Sequence, residues 1–178
     1  MIKKEEKTMP ASRELTVALR DPAAFEKKLR SMSKEEALSF LTQSGEYCSL
    51  FQELVMSQCA TEVFIPPEEY QVEKRRECVG AIARSLSPKD FYTAVLSKSA
   101  DGMTVAEEAS LNKLGFLNLI FNFLKDWQIK EVLMHRSSEF NRGGIWQVAL
   151  ANDNFDHLLL LSKSGQITCV KENYPPVR

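Results

Sequence analysis

Tyr47, Leu50, Phe51, Leu54 and Val55 recur at i, i+3, i+4, i+7 and i+8, the spacing that gathers side chains on one face of a helix. The same period predicts a helix over most of the chain. A short amphipathic helix is expected from Ser12 to Arg20. Asp21-Pro22 then reads as a cap followed by proline at the first helical position, opening a helix through Arg30. Ser33 with Glu36 forms a capping-box signature ahead of Ala37, Leu38, Phe40 and Leu41, and Gly45 ends that helix. The Tyr47 stripe predicts a helix over about Glu46 to Cys59. Ile65-Pro66-Pro67 is the strongest break, because each proline denies helix to the residue before it. A long helix is expected from Glu68 to Leu86, and Ser87-Pro88 repeats the cap-then-proline signal for a helix carrying Phe91, Val95 and Leu96.

Extended pieces are confined to Thr61–Ile65 and Gln166–Val170, too short and isolated to build a sheet. The expected fold class is therefore all-α, as stacked helical hairpins. Residues 1–10 are polar and expected to be disordered, 11–64 form an N-terminal helical portion, 66–165 a helical repeat portion, and 166–178 a tail.

Composition narrows the function classes. At 44% hydrophobic and 26% charged over 178 residues, the chain can bury one sizeable core. Its net charge of −1 argues against nucleic acid or anionic lipid as an obligatory partner, since both demand a basic surface. The most apolar window, Leu114 to Leu124, is interrupted by asparagine and falls short of the ~20 residues needed to cross a bilayer. Cys48, Cys59, Cys78 and Cys169 are far apart with no CxxC pair, which suits reduced, structural thiols and a cytoplasmic setting. The polar N-terminus carries no cleavable-signal pattern.

From Asp101 the text changes. Asp101-Gly102-Met103-Thr104-Val105-Ala106-Glu107-Glu108-Ala109 resembles the opening of an ankyrin repeat, D-G-x-T-P-L-H-x-A, with Asp101, Gly102, Thr104 and Ala109 in place. Gly115 then separates a short helix from a longer, more apolar one expected over Phe116 to Trp127. A second copy reads from Asn141, with Ile145-Trp146-Gln147-Val148-Ala149 in the equivalent place, and an added short helix is expected between them over Gln128 to Arg136. The hairpins are thus 101–127 and 141–163, so the C-terminal half is ankyrin-like; Ser33 to Val55 is a candidate third copy. Divergent repeats of this texture resemble those of some bacterial effectors, which implies export into a host cell without a cleavable signal.

The resemblance implies a scaffold that binds another protein through turn tips and shorter inner helices. The surface it indicates comprises Ser99, Asp101, Met103, Glu107 and Leu111 from the first copy, with Arg142, Ile145, Trp146 and Gln147 from the second. Trp146 reads either as core or as an aromatic anchor; Trp127 is expected to pack. No cofactor, metal or catalytic set is indicated: there is no P-loop, dinucleotide fingerprint or HExxH. Two rival readings are a dimeric helical chaperone or adaptor, and an enzyme using the His135–Glu139 loop, which lacks a glycine-framed nucleophile elbow.

Overall fold

The computed structural model describes residues 12–43, 48–56, 68–98, 102–111, 115–135 and 145, with 68–71 described by backbone alone. Among these the protein is all-α, in nine helices: α1 Arg13–Arg20, α2 Pro22–Ser31, α3 Lys34–Thr42, α4 Leu50–Val55, α5 Glu68–Ser85, α6 Pro88–Val95, α7 Val105–Ser110, α8 Phe116–Phe121 and α9 Asp126–Met134. The expected N-terminal coil, the Pro66-Pro67 break, both extended pieces, the 141–163 hairpin and the tail lie outside the described residues, Ile145 excepted.

The local signals act as their chemistry requires. Ser12, Asp21, Ser33 and Ser87 each accept a backbone N–H from the first turn of the helix they open. Pro22 and Pro88 occupy first-turn positions where no intrahelical N–H is needed. Ser33 and Glu36 complete the expected capping box. In the Asp-Gly turn, Gly102 takes φ 78°, and Gly115 takes φ 74° between α7 and α8.

Helix packing follows a rule of three. α1 packs on α4 and α4 on α7; α2 packs on α5 and α5 on α8; α3 packs on α6. α6 in turn meets α9, where Tyr92 and Trp127 stack edge to face at 5.7 Å. The described chain is therefore three units of three helices, α1–α3, α4–α6 and α7–α9, whose equivalent helices form three columns. A stack of this kind buries apolar faces that one unit could not bury alone. Leu15, Ala18, Leu54, Ile82, Phe91, Ala109, Phe116, Ile120 and Leu133 belong to one continuous core that runs through all three units.

This arrangement changes several sequence expectations. The helix after Gly115 stops at Phe121, and Trp127 instead lies in the first turn of α9. That helix starts at Asp126, ahead of the expected Gln128, and it is the third member of its unit, the counterpart of α3 and α6. The helix expected from Glu46 starts at Leu50, because Ser49 and Gln52 form a capping box there.

Candidate functional site

α4 and α7 of the first column form a polar seam inside the core. In α4, Ser49 caps the N–H of Gln52 while Gln52 Oε1 accepts the Ser49 N–H at 2.9 Å. In α7, Thr104 and Glu107 make the same pair, the Thr104 N–H reaching Glu107 Oε2 at 2.7 Å. α1 has Leu15 at that position, which cannot return the bond. Glu53 of α4 supplies it from the next unit, accepting the Ser12 N–H at 3.1 Å and the Ser12 hydroxyl.

Gln52 reaches the other way, its Nε2 donating to the Met103 carbonyl at 2.8 Å, just before the α7 cap. α4 thus holds both neighbouring units by their N-caps. Every one of its residues is buried. Burial is the dominant influence on Glu53 and raises its pKa, while the Ser12 bonds oppose that rise. Arg75 of α5 closes the C-terminal end of the same helix, Nη1 donating to the Met56 carbonyl at 2.6 Å.

The third column faces outward. Aligning its caps, Ser33, Ser87 and Lys125, places Glu35, Lys89 and Trp127 at one equivalent position. All three are exposed. Two units put a charge there and the third puts an indole, 55% exposed. Tyr92 lies against Trp127 and donates its hydroxyl to Glu131 Oε2 at 2.6 Å. Burial, then the Glu131 bond, pushes the Tyr92 phenol up to about 12, so it remains a donor at neutral pH. One residue earlier on α6, Phe91 touches Phe51 at 6.0 Å and Phe123 at 5.9 Å, and Phe123 is 37% exposed. An aromatic chain therefore connects the buried seam to the outer surface.

The surface indicated by sequence fares unevenly. Glu107 is 7% exposed and committed to its own cap, and Ile145 is 1% exposed in the core. Neither side chain lies on the surface; for Glu107 the reason is that α7 is enclosed by its neighbours. Met103 and Leu111 are half-buried. Ser99, Asp101, Arg142, Trp146 and Gln147 lie outside the described residues. Trp127, expected to pack, is the exposed ring; the signal that finds it is the repeat of the α3, α6 and α9 caps.

Comparison with family models, curated proteins and solved structures finds no match.

Reactive groups are dispersed. Cys78 is buried, and burial pushes its thiol up to about 12, which makes it a poor nucleophile. Cys48 Sγ sits 3.7 Å from Met56 Sδ. His135 is half-buried at the C-cap of α9, while 136–139 and Cys59 and Cys169 lie outside the described residues. Among the described residues no three His, Cys, Asp or Glu side chains gather as a metal site, and no helix is long and apolar enough to cross a membrane.

Proposed function

We propose that this protein is an interaction scaffold, a short stack of helical units that binds a partner protein through its third column. The observation that carries the reading is Trp127, a large apolar ring held half in solvent where the equivalent positions carry Glu35 and Lys89. Tryptophan supplies binding energy out of proportion to its frequency when it docks into a partner's pocket. Tyr92 pre-positions the ring, so little rotamer freedom is lost on association.

The matching capping boxes of α4 and α7, and their side-by-side packing, support the repeat character expected from the Asp101–Ala109 wording. They support it with three helices per unit in place of the hairpin of an ankyrin repeat. The recognition surface proposed on this arrangement is the α3, α6 and α9 side, in place of the inner helices. The effector-like texture makes a host protein the first partner class to try.

The test is affinity capture from host-cell lysate with quantitative mass spectrometry, comparing the natural chain with Trp127→Ala. Loss of a specific protein from the variant, with an unchanged circular dichroism spectrum, supports the reading. Identical capture by both chains would remove this face from consideration. Light scattering on the same samples separates a heterologous partner from a second copy: a homodimer dissociated by Trp127→Ala favours the chaperone or adaptor reading.

A further inference from the structure

A second surface, distant in chemistry from the aromatic face, lies on the first unit. The residues Arg13, Val17 and Arg20 share one side of α1, opposite to Leu15 and Ala18, which pack inward. With Ala24 and Lys28 of α2 and Phe40 of α3 they enclose a groove of about 600 Å³. Its floor is apolar: Val17 is 56% exposed, and Phe25 and Phe40 lie beneath. Lys28 Nζ sits 4.4 Å from the centre of the Phe40 ring, which fixes a cation at one wall.

The groove opens on the side of α1 and α2 away from α5. Glu26, on the opposite side of α2, marks the inner side by its ion pair with Arg84 of α5 at 2.7 Å. Within the stack, Cys78 holds in α5 the position that Ala24 holds in α2, and its thiol donates to the Ala18 carbonyl of α1 at 3.5 Å, so that side of α5 receives the preceding unit. A face with that position in a repeat is shaped to take a helix. Charge selects which helix. Arg13, Arg20 and Lys28 form no ion pair among the described residues, and they outnumber the two lining carboxylates, Glu14 and Asp21, of which Asp21 also caps the Ala24 N–H at 2.9 Å. The groove therefore keeps an excess of positive charge.

We propose that this groove docks an acidic amphipathic helix of another protein, its apolar side on Val17, Phe25 and Phe40 and its carboxylates toward Arg13, Arg20 and Lys28. This surface is independent of the Trp127 reading.

The probe is a fluorescein-labelled helical peptide of about four turns, leucine at i, i+3, i+4 and i+7 and glutamate on its flanks. Its control carries lysine for glutamate. Fluorescence anisotropy measures affinity, and amide chemical-shift mapping on the full chain locates the site. The expected result is binding by the acidic peptide only, with shifts centred on 13–28 and Phe40. Val17→Glu places a carboxylate on the floor without touching the core and weakens binding on the order of tenfold or more. Arg13→Glu with Arg20→Glu does the same and reduces the salt dependence. Shifts mapping elsewhere, equal binding of the lysine peptide, or a homodimer occluding the groove in light scattering would each overturn the proposal.

Discussion

α4 of the first column and α9 of the third begin alike, with a glutamine three residues after the cap whose side chain accepts the cap N–H, and then diverge. In α4 every side chain is buried, and the polar ones are consumed in holding neighbours. In α9 the cap residue Lys125 has no side-chain acceptor, so only the return bond to Gln128 Oε1 is made, at 2.9 Å. Its neighbours Asp126, Trp127, Lys130 and Glu131 are exposed. The contrast separates two tasks on one helical plan. The buried α4 holds the neighbouring units in register; α9 packs on one side only, which leaves its outer side free to carry recognition.

Substitutions break this contrast to different extents. Phe51 is fully buried at the inner end of the aromatic chain, so Phe51→Ala is expected to cost about 3–5 kcal/mol in urea unfolding. A loss below about 1 kcal/mol would mean that the seam is not a packed core. Gly115→Ala is expected to cost about 1–2 kcal/mol, because a side chain at φ 74° is strained and its Cβ would stand 3.1 Å from Arg76 Nη2.

Glu53 gives the seam a pH signature. Its folded pKa lies above the ordinary 4.5, so the folded state holds the proton more tightly than the unfolded chain. Its contribution is therefore full below the ordinary value and is lost as pH rises through the folded one. Glu26 and Glu36 work the other way, their pKa values lowered by the bonds to Arg84 and to Ser33 respectively, and lose stability as pH falls. The difference between the natural chain and Glu53→Gln isolates the seam. The variant is expected to gain stability relative to the natural chain as pH rises from about 4.5 toward neutrality, read from urea midpoints. A difference independent of pH would remove Glu53 from this role.

The smallest effect on folding belongs to the outer column. Trp127→Ala is expected to move stability by no more than about 0.5–1 kcal/mol, since the ring is 55% exposed and its main contact is Tyr92. A larger loss would make Trp127 a packing residue after all.

Much of the fold was legible in the chain. Helix starts at Arg13, Pro22, Lys34, Glu68 and Pro88 follow from side chains within a few residues of each start, and such signals survive in the sequence. The rule of three did not show, because its evidence lies in pairings far apart along the chain. Ser49-x-x-Gln52 is a readable capping box, but the apolar stripe beginning at Tyr47 masks it and extends the helix backward. The borrowed cap of α1 could not be foreseen at all, since nothing near Ser12 names Glu53 as its partner. The surface assignment suffered similarly. A glutamate after a threonine cap reads as exposed until neighbouring units close over it, as they do over Glu107.

Whether α4 and α7 are one cooperative seam can be read from two equivalent amides. The Glu53 N–H donates to the Ser49 carbonyl at 3.0 Å, and the Glu108 N–H donates to the Thr104 carbonyl at 3.0 Å. Native-state hydrogen exchange at low denaturant should give both the same opening free energy, equal to that of global unfolding. A Glu108 amide that exchanges through a separate, cheaper opening, while Glu53 remains protected, would contradict the stacked-unit account.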